Sequence, residues 1–307
     1  MLVAAIEGGG SAFRWAVEDV ASEKRVAEGQ LPTSDPERTV SQLVERLAGH
    51  RPGALGLATF GPIELDPAAA SYGTILSTPK EDWTGFPLRA RLSEALAVPV
   101  TVDTDVNAAA LAEQRRGAAQ GADPTVYVTV GTGVGMGAVV NGRPLHGLLH
   151  PELGHLLVPR LPLVDGSPDP FMGVCPFHGR CLEGVASAPA LAARFGRPPE
   201  DVRDGDPVWD LTARYLAHGL AAVVLSLAPK RIVLGGGVLS RPGLRHRVAD
   251  ALTDSLAGYL PRRELGVEID AYLVAPAFAH SGLEGAFDLA RDAATRRGRV
   301  VARPDPV

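Results

Sequence analysis

The stretch Thr125-Val126-Tyr127-Val128-Thr129-Val130-Gly131-Thr132-Gly133-Val134-Gly135-Met136-Gly137-Ala138-Val139-Val140 decides the fold. Its first six residues are an apolar, β-branched run that reads as a strand; the glycines form a turn, and 136–140 reads as the returning strand. The same pattern opens the chain. There 3–6 and 13–20 read as strands about Gly8-Gly9-Gly10, and Ser22-Glu23-Lys24 turns the chain into a third strand over 25–30. Strand, glycine turn, strand at the head of both halves predicts a duplicated fold related by a pseudo-twofold axis, with the cleft between the halves as the expected site.

Between these hairpins the periodicity predicts a helix over 37–47, a strand over 54–58, a helix over 88–96, a strand over 100–102 and a helix over 106–115. A meander followed by alternating helix and strand is a mixed-sheet α/β layer. Beyond the loop 117–124, helices over 209–227 and 244–259 flank a strand over 231–234, and a last helix over 282–296 is expected to return to the first half. The expected domains are 1–115, with the C-terminal helix at about 283–300, and 116–282. The tail 298–307, with two prolines, is expected to fray.

At 307 residues, 46% hydrophobic and 21% charged, the chain has the composition of an ordinary globular protein of about two domains. Its formal net charge of -5, with acids and bases interspersed, offers no basic stripe, so nucleic acid is not an expected partner. No apolar run reaches the ~20 residues that cross a bilayer, and the first residues lack a basic leader. A cytoplasmic protein with no membrane partner is expected.

Glycine at a strand end permits positive φ and lets backbone N–H groups approach an anion unobstructed. Glu7-Gly8-Gly9-Gly10-Ser11, Gly131-Thr132-Gly133 and Gly235-Gly236-Gly237 all stand at strand ends. Any one of them could be a plain hairpin turn. Three at equivalent places are read as a nucleotide site: Gly9, Gly10, Ser11, Gly131, Thr132 and Gly133 for phosphates, Gly235, Gly236 and Gly237 for the adenosine end. None ends in the Gly-Lys-Ser/Thr of a Walker loop. Glu7 is placed to hold Mg2+ through water.

Asp103-Thr104-Asp105-Val106-Asn107 joins a strand to a helix, so Asp103 or Asp105 could serve merely as a helix cap. Phosphoryl transfer to an alcohol instead needs a carboxylate within hydrogen-bond reach of the hydroxyl, and Asp105 is the candidate base. The chain's two cysteines, Cys175 and Cys181, bracket His178, and His155 is a plausible fourth ligand. Two thiolates and two imidazoles suit a tetrahedral structural zinc site, the alternative being two reduced thiols and a surface histidine. Glu152 and Glu183 flank this loop and are candidates for accepting sugar hydroxyls, with the metal-fixed His155 as a donor; Glu183 could also be a solvated helix residue.

From Val130 to Ala138, then Gly147, Pro151 and Gly154-His155, the chain resembles the ROK family of sugar kinases and repressors. The likeness implies the two-domain actin-like, ribonuclease-H-like ATPase fold. It also implies Asp105 as base; Gly61, Thr104, Glu152, His155 and Glu183 at the sugar; and His155, Cys175, His178 and Cys181 on zinc. Phe60-Gly61-Pro62-Ile63, Tyr72 to Lys80 and Cys175-Pro176-Phe177-His178 are similar to the family's bacterial fructokinases. ATP, Mg2+ and fructose are therefore the implied ligands, and a homodimer the implied assembly. Ser11-Ala12 stands where such fructokinases read Thr-Lys, leaving Arg14 as the candidate substitute cation. The rival readings are a mannokinase or broad hexokinase, and a catalytically lapsed sugar binder or regulator. A repressor is disfavoured because the first strand starts at residue 3.

Overall fold

Leu2–Gly8 (β1), Ala12–Asp19 (β2) and Lys24–Pro32 (β3) form an antiparallel meander in which Glu7 lies opposite Arg14 and Gly8 opposite Phe13. Helix Pro36–Ala48 (α1) follows. Asp35 caps it by accepting the Arg38 N–H at 2.9 Å, Pro36 starts it where no amide hydrogen is needed, and Val40, Leu43 and Leu47 bury one face at helical spacing. Leu55–Thr59 (β4), Leu88–Leu96 (α2), Val100–Thr104 (β5) and Asp105–Arg116 (α3) come next. The sheet order is β3-β2-β1-β4-β5, with β4 parallel to both β1 and β5. Parallel pairing brings carboxyl ends together. Glu7, Ala58 and Asp103 share one row, and Gly8, Thr59 and Thr104 the next.

The second sheet repeats the logic. Thr125–Val130 (β6) and Val134–Val140 (β7) form the hairpin read from the sequence, continued by Arg143–Pro144 (β8). After Leu182–Ala186 (α4), Ala188–Phe195 (α5) and Val208–Leu227 (α6), strand Arg231–Gly235 (β9) pairs parallel to β6. Leu244–Leu256 (α7), Ile269–Tyr272 (α8) and Leu273–Val274 (β10) complete the order β10-β9-β6-β7-β8. α6 buries Trp209, Leu216, Leu220 and Val223 along one face and stops where Ala228 takes a left-handed conformation before Pro229.

Ser281–Val301 (α9) then packs on β1 and β4. A Cβ on Gly56 would lie 1.8 Å from the Ala286 carbonyl oxygen, so only glycine lets the helix backbone lie directly on the strand. The computed structural model describes residues 1–301. Of the tail expected to fray, 298–301 continues α9, and 302–307 lies outside the described residues.

The described chain forms two units. One comprises Met1–Ala112, Pro144–His150 and the chain from Phe278 onward; the other Glu113–Arg143 and Pro151–Ala277. The first is cored by Ile6, Phe13, Leu43, Leu55, Leu57 and Trp83, with Phe13 stacked on Trp83 at 5.3 Å between ring centroids. Each such fully buried side chain contributes roughly 1.5–3 kcal/mol. Among the described residues no helix is long and apolar enough to cross a membrane.

Candidate active site

In the first unit the carboxyl ends of β1, β4 and β5 carry the glycine turn, Gly61 and the Asp103–Asp105 corner. Ligands of parallel α/β sheets bind at such ends. The turn is closed by the Gly9 N–H donating to the Ala12 carbonyl (2.9 Å) and by the Thr33 hydroxyl donating to the Gly9 carbonyl (2.9 Å), leaving Ser11 exposed and Gly9 and Gly10 half-buried. Its glycines do not use positive φ. Space is the reason at Gly8, where a Cβ would lie 2.6 Å from the Phe13 ring and 2.8 Å from the Thr59 hydroxyl.

Glu7 sits beside this turn. Burial raises its carboxyl above the usual range, and Arg14, 3.5 Å away, pulls it part of the way back. Oε2, buried, is the oxygen that faces Arg14 Nη1 at that distance, and Oε1 lies where a Cβ on Gly282 would come within 2.3 Å. A buried carboxylate suits a cation, and here the Arg14 guanidinium is one. Arg14 therefore spends its charge on Glu7 at the foot of the turn.

The Asp103-Thr104-Asp105 corner separates the candidate base from the capping role. Thr104 is the cap: its hydroxyl accepts the Asn107 N–H at 3.1 Å, and the residue is 2% exposed. Asp105 is the first residue of α3, half-buried, with Oδ1 accepting the next amide, that of Val106, at 2.9 Å. Asp103 is buried. Its Oδ1 accepts from the Thr104 N–H and from Asn107 Nδ2, both at 2.8 Å, and its Oδ2 lies 3.0 Å from His146 Nε2. No periodicity or motif pointed to His146. Gly61 follows β4, and two residues on the Ile63 N–H donates to His150 Nε2 at 3.2 Å.

In the second unit the other two glycine turns meet. A Cβ on Gly131 would have the Gly237 nitrogen as its nearest neighbour, at 3.9 Å, and the Val238 N–H donates to the Val130 carbonyl at 2.9 Å. Gly236 is the one glycine of the three turns with positive φ, 93°, and a Cβ there would lie 2.4 Å from the Val130 carbonyl oxygen. Thr132 and Gly237 are exposed, Gly131 and Gly133 half-buried and Gly235 buried. The result is a surface of backbone amides at the ends of β6 and β9.

Glu183 stands in the first turn of α4, where its Oε2 accepts the Val134 N–H at 3.0 Å. That bond ties it to the second glycine turn and removes the solvated-face reading. Crowding by protein, and then the Glu183 carboxylate, push Glu152 up to about 7, although the residue is exposed.

His155, Cys175, His178 and Cys181 converge, with all ligand atoms within 4.8 Å of one another. His155 Nδ1 is 3.7 Å from each sulfur, and His178 Nδ1 is 3.8 Å from Cys175 Sγ. A tetrahedral ion with Zn–S and Zn–N bonds of ordinary length has S···N edges of about 3.6 Å. The geometry fits such an ion. Backbone packing fixes the loop, since a Cβ on Gly184 would sit 1.9 Å from the Gly179 carbonyl oxygen. The sequence reading missed α4 and α5, which begin at Cys181 and Ser187: each accepts an amide three residues on, from Gly184 and Ala190, at 3.4 Å.

A buried ion pair braces the strand-poor stretch ahead of the cluster. Asp169, with no side-chain exposure, takes two hydrogen bonds from Arg194 (2.8 and 2.9 Å), one from the Tyr215 hydroxyl (2.8 Å) and one from the Phe171 N–H (3.1 Å). Burial alone would raise its carboxyl, but Arg194 and the other donors outweigh it and hold Asp169 at about 2. Asp169→Ala leaves the half-buried Arg194 without its carboxylate partner and is expected to cost about 3 kcal/mol in urea unfolding at pH 7. Because the folded value lies below the unfolded one, this contribution is complete above about pH 4 and is lost as pH falls toward 2. The gap between wild type and variant should therefore shrink at pH 3.

The ROK family profile matches residues 3–293. A fructokinase of Lactococcus lactis subsp. cremoris is 37% identical over 277 residues, covering 90% of this chain and 92% of the relative. Among solved structures, a ROK hexokinase from Thermus thermophilus superposes with a TM-score of 0.70 at 29% identity, covering 96% of this chain and 100% of that one. A ROK glucokinase from Streptomyces griseus, solved with glucose and AMPPNP, gives 0.70 at 25% identity, covering 95% and 100%. With two mixed sheets that each pair a glycine hairpin to a parallel strand, the chain has the two-domain actin-like ATPase fold and belongs to the ROK family.

Proposed function

We propose that this ROK-family, ATP-dependent hexose kinase transfers the γ-phosphoryl group of ATP to the 6-hydroxyl of D-fructose, giving fructose 6-phosphate and ADP. One observation carries the reading of the chemistry: Thr104 takes the capping role, so Asp105 occupies the first helical position at the carboxyl end of β5, beside the row that holds the first glycine turn. The sugar is inferred from relatives named fructokinase and from the Cys-Pro-Phe-His loop.

Asp105 accepts the proton of the 6-hydroxyl as the oxygen bonds to the γ-phosphorus and the bond to the β-phosphate oxygen breaks. Most of the remaining catalysis in such transfers is positioning and charge stabilisation. The amides of the first and second glycine turns serve the phosphates, and Gly235-Gly236-Gly237 the adenosine end. Glu7, at the end of β1 beside the first turn, would hold Mg2+ through water; the ion, when bound, neutralises charge on the β- and γ-phosphates. Glu152 and Glu183 accept sugar hydroxyls, Gly61 and Thr104 contribute backbone to the sugar, and His155 donates Nε2–H, since its Nδ1 faces the two sulfurs. The four-residue cluster holds a structural Zn2+.

The test is a coupled assay with ATP and magnesium over fructose, mannose, glucose and N-acetyl sugars. Fructose is expected to give the highest kcat/KM. Turnover of glucose or mannose with none of fructose would overturn the sugar assignment and leave the kinase.

A further inference from the structure

Pro144–His150 groups with the first unit, although the chain on both sides of it belongs to the second. Two imidazoles pin it there. His150 Nε2 accepts the Ile63 N–H in a buried setting, and His146 Nε2 lies 3.0 Å from Asp103 Oδ2. A carboxylate oxygen is an acceptor at that distance, so His146 must be the donor through Nε2–H.

The Asp103 carboxylate is almost wholly enclosed, its side chain 3% exposed against 38% for His146. Oδ1 is saturated by the corner's own donors, the Thr104 N–H and Asn107 Nδ2. Among the contacts of Oδ2, His146 brings the donor from a distant segment. A buried carboxylate left short of a donor rearranges its surroundings to find one. Here those surroundings are Thr104, which caps α3, and Asn107, whose N–H the cap accepts. Either shift would carry Asp105 with it. The imidazole answers to this pairing, since the hydrogen bond to Asp103 holds it above the ordinary histidine range.

We propose that His146 is a positioning residue for the base: by donating Nε2–H to Asp103 it fixes the Asp103-Thr104-Asp105 corner, and with it the place of Asp105. This rests on the kinase reading above. Proton transfer needs heavy atoms about 2.6–3.2 Å apart, and a displacement of about 1 Å can cost on the order of 10²-fold. The role should appear in kcat, not in nucleotide binding.

The experiment compares wild type, His146→Ala and His146→Gln in steady-state kinetics on the best sugar, with thermal unfolding alongside. His146→Ala is expected to lower kcat about tenfold or more, with KM for ATP unchanged. His146→Gln, whose side-chain amide can still donate to Asp103, is expected to recover most of that loss. A His146→Ala enzyme within about twofold of wild type overturns the role, as does an equal loss in both variants. Should His146→Ala fail to fold, the Gln variant decides: near-wild-type kcat supports the role and a tenfold fall overturns it. A wild type that transfers phosphate to no sugar overturns the kinase reading itself. Wild-type activity with an indifferent His146→Ala removes only the positioning role.

Discussion

Asp105→Asn is expected to lower kcat for hexose phosphorylation by roughly 10²- to 10⁴-fold, the usual worth of a positioned general base, while the thermal unfolding midpoint stays close to that of wild type. The two halves of that expectation come from different atoms. Asparagine keeps an oxygen at Oδ1, which accepts the Val106 N–H, so the first turn of α3 retains its local bond. The cap is held by the Thr104 hydroxyl and is untouched. Lost is the capacity to take a proton. Sugar affinity, read by calorimetry in the absence of ATP, should change far less than kcat, because an amide still offers an acceptor to a hydroxyl. A variant that keeps kcat within about tenfold of wild type would show that the substrate hydroxyl needs no base here, or finds another. Thr104→Val, by contrast, removes the cap and should lower stability by about 1 kcal/mol as well as kcat, because the cap holds the corner that places Asp105.

That separation of roles was not legible in the sequence. Asp103, Thr104 and Asp105 are all residue types that cap helices, and one-dimensional spacing cannot say which does so. The strands and helices were readable because period-2 and period-3.6 patterns survive wherever one face is buried, as in α1 with Val40, Leu43 and Leu47. α4 and α5 were missed because they are short, and because the cap of the first, Cys181, is read from the sequence as a metal ligand.

The glycine turns were recognised by composition, but for partly the wrong physical reason. Left-handed φ applies at Gly236, whereas Gly8 is required by the Phe13 ring and Thr59, and Gly133 by Glu183 Oε2, 2.6 Å from where its Cβ would stand. Such constraints depend on partners far along the chain. The same holds for His146, which lies 43 residues from Asp103 and matches no local pattern.

Zinc removal is expected to have the largest effect on stability. Without an ion, burial, followed by the neighbouring Cys175, pushes the Cys181 thiol up to about 11, against the pull of the Gly184 N–H. Two cysteines and two imidazoles crowded within 4.8 Å have little to hold them together without an ion, whereas a dication takes both sulfurs as thiolates and binds all four groups at once. Structural zinc sites contribute folding free energy of about 10 kcal/mol or more in isolated small domains. In a unit with its own core the share is smaller, but several kcal/mol would move the unfolding midpoint by about 10 °C or more. Protein purified without chelators should carry one zinc per chain by elemental analysis, and a strong chelator or Cys181→Ser should lower the midpoint by that amount. Because Cys181 caps the helix that carries Glu183, and His155 presents its second nitrogen only when Nδ1 is engaged, KM for the sugar should rise more than KM for ATP. Metal-free protein with full sugar affinity and an unchanged midpoint would defeat the zinc assignment and leave the cluster as two reduced thiols beside two histidines.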